Sequence, residues 1–223
     1  MGGVTSPELA ETARTTPARH RERFSYDRSA VHAVLDEATI CHVGFVVDGE
    51  PVVLPQLHAR VREQLYLHGS TGARALRSAK GAGLAVCVTV TLVDGLVLAR
   101  SAFHHSINYR SVVVHGVATL VTDEAEKVSA LAAVVDAVVP GRSEHTRAPD
   151  RRELAATSVL RLPLQEASLK VRGGPPSDDP DDLDGPYWAG VLPLRVTADA
   201  PVAAPDLAAG IAVPDHVVRW PGR

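Results

Sequence analysis

Two β-rich runs around Asp48-Gly49 constrain the fold of this chain more than any other feature. Residues 40–47 and 51–57 are mostly apolar, and the dipeptide between them is strongly favoured in tight type I′ turns. The pattern therefore predicts a β-hairpin. Such turns join neighbouring antiparallel strands, so the hairpin favours an antiparallel sheet over an alternating βαβ arrangement.

Further strands and a few helices are predicted along the rest of the chain. Apolar or alternating runs predict strands over residues 61–68, 83–93, 109–120, 158–171 and 187–196. Helical spacing predicts short helices over residues 29–37 and 151–157, with Val31, Val34 and Leu35 on one side of the first. Because strands outnumber helices and most connections are short, we predict a mainly β (α+β) fold, an antiparallel barrel with flanking helices.

The clearest helix is predicted over residues 123–139. Two acids lie in its first turn, where they complement the helix dipole, and Pro140-Gly141 ends it. Its apolar residues recur at spacings of three and four, which predicts a helix with one apolar stripe formed by Val128, Leu131, Ala132, Val135 and Val139.

Composition excludes several classes of protein. The formal net charge of −3 gives no general attraction for a phosphate backbone, so we expect no nucleic-acid partner. No apolar run approaches the ~18 residues of a membrane span. The N-terminus lacks a basic-then-apolar signal pattern, so we expect a cytoplasmic protein without a membrane partner. The two cysteines, Cys41 and Cys87, are too few for a disulfide framework.

The chain is predicted to form one domain with two appendages. Residues 1–24 are polar and aperiodic and predict a flexible N-terminal arm. Residues 25–196 form the predicted domain, and residues 197–223 a Pro/Ala-rich tail. The five aspartates between Asp178 and Asp184 predict a solvated loop.

Polar chemistry is concentrated before and within the strand at 109–120. Val112, Val114 and Ala118 alternate onto one face, and Arg110 stands at the start of that apolar face. A guanidinium there either extends outward to solvent or holds an anion, and the second interpretation is our working hypothesis.

A second candidate anion site follows His68. Ser70 and Thr71 offer hydroxyl groups, the flanking glycines permit close approach of the backbone, and a helix N-terminus would present free N–H groups. Arg74 and Arg77 would share one side of that helix. The alternative is an ordinary capped surface helix with solvated arginines. The P-loop pattern is missing.

Other residues leave two interpretations open. Lys170 and Arg172 are either solvated cations at a strand end or a second positive rim of the same site, and Trp188 is either core or a stacking platform. His104 and His105 are adjacent and lack helical chelate spacing, so no metal site is predicted.

Four ordered motifs resemble one family. They are 48-DGEPVVLP-55, 65-LYLHG-69, 108-NYRSVVVHG-116 and 168-SLKVRGGPP-176. Together they are similar to the pyridoxamine 5′-phosphate oxidase-like flavoproteins, in particular the nitroimidazole-reductase-related flavin-nucleotide-binding branch. The resemblance implies an FMN-binding split barrel, homodimeric, with a flavin in each of two clefts at the subunit interface.

The resemblance also implies site residues. Val53 and Leu54 would pass their backbone along the flavin ring, Arg74 would neutralise the phosphate, and His68 would be the catalytic proton donor. By position, the full set of implied FMN contacts is Val53, Leu54, His68, Ser70, Thr71, Arg74, Arg110, Ser111, Lys170 and Trp188.

The expected function is an FMN-dependent oxidoreductase. Electrons would pass from NADH or NADPH to a small planar substrate, nitroaromatic- or quinone-like. Vitamin B6 oxidation is not expected, because the oxidase's Arg-x-His near the C-terminus has no counterpart here. The alternatives are a non-catalytic flavin carrier or sensor, and a haem- or deazaflavin-binding relative for which the histidines available are His58, His104 and His105.

Overall fold

The computed structural model describes residues 6–73, 79 and 81–220. Its contacts divide the chain into two compact units. Unit 1 comprises Met1–Ala38, Val88–His115 and Gln165–Arg195. Unit 2 comprises Thr39–Cys87, Gly116–Leu164 and Val196–Arg223.

The described residues form nine strands and four α-helices. The strands are β1 (Phe24–Ser25), β2 (Ile40–Val47), β3 (Glu50–Val61), β4 (Gln64–Ser70), β5 (Leu84–Leu98), β6 (Ser106–Leu120), β7 (Thr157–Pro163), β8 (Glu166–Arg172) and β9 (Gly190–Pro193). The helices are α1 (Arg28–Glu37), α2 (Glu124–Val138), α3 (Arg151–Ala156) and α4 (Asp215–Val218).

Unit 2 contains the predicted hairpin. Its strand order is β6-β7-β4-β3-β2-β5, where residues 84–87 of β5 and 116–120 of β6 belong to this unit and the rest of both strands to unit 1. Asp48 and Gly49 have φ of 52° and 84°, the left-handed values that a type I′ turn requires, and β2 pairs with β3 antiparallel from Val47–Glu50 onward. The predicted hairpin is confirmed. The strand predicted over 61–68 is displaced, because Val61 ends β3 and the chain turns at Arg62, with φ of 54°, before β4.

Unit 1 contains a second set of antiparallel pairings. β8 lies between β1 and β6, and β5 pairs with β9. The single strand predicted over residues 158–171 is wrong in one respect. A turn at Leu164-Gln165 divides it into β7 and β8, which belong to different units. The pairings of both units confirm a mainly antiparallel β fold with flanking helices.

Alternation along β6 places its apolar residues as predicted. The side chains of Val112, Val114 and Ala118 are completely buried. Helix α1 also behaves as predicted, since it buries Val31, Val34 and Leu35, and the Asp27 carboxylate caps it by accepting from the Ala30 N–H at 2.7 Å.

Helix α2 departs from the prediction in the face that it buries. Asp123 precedes the helix and caps its N-terminus by accepting from the Glu126 N–H at 2.7 Å. The residues buried in the core are Ala130 and Val134, which are four apart. The residues of the predicted apolar stripe are not among those fully buried, although Leu131 is partly buried and packs against the core around Ala130.

Both terminal segments contact the folded units. In unit 1 the Leu9 N–H donates to the Tyr26 carbonyl at 2.8 Å, Leu9 is buried, and Arg14 pairs with Glu166 on β8. In unit 2 the His216 ring on α4 stacks on His145, with the ring centroids 4.4 Å apart. The division into an arm at 1–24, a domain at 25–196 and a tail at 197–223 stays a prediction.

None of the helices in the described part of the chain has the length and apolar character needed to cross a bilayer.

Candidate functional site

The apolar stripe of α2 lines a cavity of about 510 Å³ within unit 2. Val128, Leu131, Ala132 and Val135 lie on one wall, and His68 from β4 lies on another. The segment from Ser143 to Pro149 supplies the remaining wall. Helical periodicity predicted that this face is apolar, and the structure shows that the face lines a cavity, with Leu131 also packed against the core.

A narrower cavity of about 300 Å³ adjoins the first. The two share His68, Val134 and Val135 in their linings. The narrower one is otherwise lined by Leu57 of β3, by Val138 and Val139 at the end of α2, and by Arg142. All five residues of the predicted stripe therefore line one or the other cavity.

His68 is the polar side chain common to both cavities. It lies on β4 opposite Val159 of β7, so that the sheet fixes its backbone. Its Nδ1 atom is buried and has no hydrogen-bond partner among the described residues. Burial lowers the pKa of His68, which favours the neutral imidazole. A neutral imidazole nitrogen with no protein partner is a ready ligand for a metal centre.

Charged residues also line the larger cavity, and two of them form an ion pair. Arg147 forms a fork with Glu153, with Nη2 2.6 Å from Oε1 and Nη1 3.0 Å from Oε2. The Arg147 side chain and the Asp150 N–H lower the pKa of Glu153 to about 2. Glu144 also lines this cavity, and Arg142 lines the narrower one.

The predicted anion site after His68 forms a turn. The Ser70 hydroxyl accepts from the Gly72 N–H at 3.3 Å, and the Thr71 N–H donates to the Ala156 carbonyl at 3.0 Å. Two of the backbone N–H groups expected to donate to a phosphate therefore already donate to acceptors within the protein. Arg74 and Arg77 lie outside the described residues, so the phosphate site stays a prediction.

Val53 and Leu54 lie on β3, opposite Gly44 and Val43 of β2. Their side chains are 63% and 48% exposed, which is unusual for large apolar residues in a strand. This exposure is compatible with the predicted contact to a planar ring or with burial against another chain, and the predicted flavin contact stays a prediction.

Arg110 is held by two carboxylates of unit 1. Its guanidinium donates to both oxygens of Glu37 on α1 and to both oxygens of Asp94 on β5. These hydrogen bonds raise its pKa above the ordinary arginine value. An added anion would have to compete with both acids, so the structure gives no support to the anion-holding hypothesis for this residue.

The remaining predicted contacts in unit 1 are also described. The Ser111 hydroxyl donates to the Val90 carbonyl at 2.9 Å and lies 3.0 Å from the Thr91 hydroxyl. The Lys170 ammonium lies 5.3 Å from the centroid of the Phe24 ring, and Lys170 pairs with Ser111 across the sheet. Ser111 and Lys170 are thus engaged within the protein, whereas Trp188 is 68% exposed.

The predicted flavin contacts are therefore divided between the units. Arg110, Ser111, Lys170 and Trp188 belong to unit 1, and Val53, Leu54, His68, Ser70 and Thr71 belong to unit 2.

The histidines considered for haem have other surroundings. His58 is buried on β3, His104 lies 3.3 Å from the Asp179 carboxylate, and His105 contacts the Ser101 carbonyl at 3.0 Å. His68 alone among the sequence-predicted histidines lines the two cavities described here. The cavity itself was missed from the sequence, although the predicted apolar stripe of α2 was its signal.

A model of the pyridoxamine 5′-phosphate oxidase family matches residues 27–171. The flavocytochrome Anf3 from Azotobacter vinelandii is 38% identical over 93% of this chain and 96% of its own, with a TM-score of 0.86. The FAD and haem binding protein from Mycobacterium smegmatis is 39% identical over 90% of this chain and 98% of its own, with a TM-score of 0.84.

A more distant structure shares the fold alone. It is a candidate 5-nitroimidazole antibiotic resistance protein from Bacteroides thetaiotaomicron, 21% identical over 66% of this chain and 86% of its own, with a TM-score of 0.56. No curated protein matches the chain. These similarities confirm the predicted fold class, a split β-barrel with flanking helices.

Proposed function

Because the chain belongs to the pyridoxamine 5′-phosphate oxidase family, we propose that it is a redox protein that binds a flavin and, beside His68, a haem. The observation that carries the haem is a cavity of about 510 Å³ lined by the apolar stripe of α2 and by His68, whose Nδ1 has no hydrogen-bond partner among the described residues. This differs from the expected FMN-only protein by the addition of a second cofactor.

The residues of unit 2 fit a tetrapyrrole. Haem is a planar, largely apolar ring whose iron takes a protein ligand such as a histidine nitrogen. Val128, Leu131 and Val135 present aliphatic surface, and His68 supplies a neutral nitrogen. Aliphatic walls would exclude water from the ring, and β4 would fix the direction of the imidazole.

The flavin rests on relatives and on the sequence resemblance. The Mycobacterium smegmatis protein is named as binding FAD, and it is 39% identical over nearly its whole length. We therefore propose FAD as the flavin, and the FMN expected from the sequence is the alternative outcome. Val53 and Leu54 remain the proposed neighbours of the ring, and Ser70 and Thr71 the proposed neighbours of the phosphate.

The proposed activity is electron transfer from a reduced donor to a small acceptor. Flavins exchange electrons singly or in pairs and haem iron exchanges them singly, so the two groups together would supply the redox chemistry. NADH or NADPH as the donor, and a quinone-like or nitroaromatic acceptor, stay part of the proposal. A carrier or sensor that binds the groups without turnover is the rival function.

The absorption spectrum of the purified protein tests the binding proposal. We expect a Soret band together with flavin absorption, and FAD rather than FMN in mass spectrometry of the released flavin. His68→Ala should lose the Soret band and keep the flavin, whereas His42→Ala, at an exposed site on β2, should keep both. A wild-type protein reconstituted with haem that shows no Soret shift would refute the haem proposal.

Anaerobic addition of NADH or NADPH tests the activity. Bleaching of the flavin band followed by reoxidation with a naphthoquinone supports an oxidoreductase. Flavin that stays oxidised with both donors would indicate the carrier or sensor instead.

A homodimer is also part of the proposal. The β2–β3 hairpin exposes Val46 (61%) as well as Val53 and Leu54, an apolar surface suited to a second copy of the chain. Light scattering on the purified protein should give twice the chain mass of 23.6 kDa. A monomer at micromolar concentration would contradict it.

A further inference from the structure

Arg142 lies in the lining of an apolar cavity and is a cation without a partner among the described residues. It follows Gly141, whose φ of 79° turns the chain sharply after α2, and it begins a short 3-10 helix that ends at His145. Its guanidinium has no hydrogen bond or ion pair with any described residue. The other lining residues of the narrower cavity, apart from His68, are Leu57 and four valines.

The acids nearest in sequence do not neutralise Arg142. Asp136 directs its carboxylate to Ser143, accepting from the backbone N–H at 2.7 Å and from the hydroxyl at 2.8 Å. Glu144 lines the larger cavity instead. Arg147 differs from Arg142, because its guanidinium is already bound by Glu153. The two adjoining cavities therefore differ in charge. The narrower cavity has the cation Arg142 in its lining, and the larger one has the acid Glu144.

This asymmetry suits an amphipathic anion. Haem carries two carboxylate side chains on one edge of an otherwise apolar ring. Because the two cavities share His68, Val134 and Val135, a ring beside His68 can extend one edge toward Arg142. The opposite orientation would bring its carboxylates toward Glu144, which is unfavourable between like charges.

We propose that Arg142 binds the carboxylate groups of the haem and so selects which edge of the ring enters the narrower cavity. The inference rests on the proposed haem function. It assigns Arg142 as a binding residue that acts through charge and leaves ligation of the iron to His68.

Haem dissociation into excess apomyoglobin tests this assignment. We expect Arg142→Gln to lose haem about 5-fold faster than the wild type, the size of effect typical of a partly exposed ion pair. Arg142→Lys should restore part of the retention. Arg152→Gln removes a cation from the exposed surface of α3 outside both cavities and should dissociate haem at the wild-type rate.

Haem dimethyl ester distinguishes charge from packing. Its carboxylates are blocked, so the wild type and Arg142→Gln should lose it at the same rate. Added salt should accelerate haem loss from the wild type and have little effect on Arg142→Gln.

Two results would overturn the assignment. One is equal retention of haem by the wild type and Arg142→Gln, and the other is an equal defect of Arg142→Gln with haem and with its ester, which would indicate lost packing. A wild-type protein that binds neither compound would refute the proposed haem function, and this inference with it.

Discussion

The Arg110 guanidinium binds Asp94 as a fork, with Nε 3.1 Å from Oδ2 and Nη2 2.7 Å from Oδ1. The same guanidinium also donates to Glu37. The three side chains are between 31% and 38% exposed, so the network is screened by water only in part. One cation thus holds two acids from α1 and β5 together.

Removing this cation should destabilise the protein. Arg110→Met leaves Glu37 and Asp94 facing each other without a counter-charge, and we expect a loss of about 1–2 kcal/mol in the free energy of unfolding. Urea denaturation of the apoprotein measures it. Arg110→Met combined with Glu37→Gln should recover part of the loss, and an unchanged midpoint for Arg110→Met would contradict the network's role.

Position 83 requires glycine for two reasons, the left-handed backbone conformation and the lack of space for a side chain. Its φ is 89°, and a Cβ there would lie 2.6 Å from Val117 Cγ1 and 2.9 Å from the Ala118 carbonyl oxygen. Gly83→Ala should destabilise by about 3 kcal/mol, from backbone strain and overpacking together. Gly81→Ala is the matched control, since its φ is 86° but no atom of the described residues lies within 4 Å of a Cβ placed there. It should cost about 1–2 kcal/mol, and thermal or urea unfolding that ranks the two the other way would disprove the steric argument.

Tyr66 should make stability fall at alkaline pH. Its hydroxyl donates to Glu126 Oε1 at 2.9 Å, and burial, followed by this carboxylate, raises the pKa of Tyr66. A raised pKa contributes stability below the unfolded value of about 10, and that contribution is lost as pH rises through the folded value.

The matched variant for Tyr66 is Tyr66→Phe. It should cost about 1 kcal/mol at pH 8, because it removes the hydrogen bond and leaves the Glu126 carboxylate bound to Arg161. The difference from the wild type should shrink as pH rises from 8 through the folded pKa of Tyr66 in urea denaturation. A constant difference would show that Tyr66 does not titrate in this range.

The stacking contact between His145 and His216 should weaken at acidic pH. Desolvation lowers the pKa of His216 most, the positive charges of His145 and Arg142 add to it, and Asp136 and Asp215 oppose it. A lowered pKa means that the contact is stable above the unfolded value of about 6.5 and weakens as pH falls from there.

Hydrogen exchange around α4 measures this effect. Corrected for intrinsic rates, protection of residues 215–219 should fall as pH drops from above to below the unfolded histidine pKa in the wild type. His216→Phe keeps a ring in the stack and removes its titration, so its protection should hold. Equal loss in both proteins would assign the pH effect to other groups.

Local rules predicted the elements that depend on neighbouring residues. The turn at Asp48-Gly49 needs two left-handed residues, and the start of α2 is marked by acidic residues at its own N-terminus. The alternating face of β6 follows from backbone geometry alone. Each of these features is fixed within a few residues of sequence.

Features that depend on distant partners were not predictable. Arg110 was expected to hold an anion, but its guanidinium binds Glu37, which is 73 residues away in the chain. Asp178 was assigned to a solvated loop, yet its side chain is 1% exposed because Arg100, 78 residues away, binds it. Periodicity showed that one face of α2 is apolar, but it cannot show whether a core or a cavity lies opposite.

Helix α2 buries Ala130 and Val134, and it presents an aliphatic stripe, together with Val134, to the cavities. If the proposed haem fills the cavities, a newly made chain without haem would expose that stripe to water, and such surfaces promote self-association. Soluble yield in a producing cell should then rise with the supply of iron and of tetrapyrrole precursor. Val128 belongs to the stripe and is 36% exposed, so Val128→Ser should lessen that dependence while leaving the core intact.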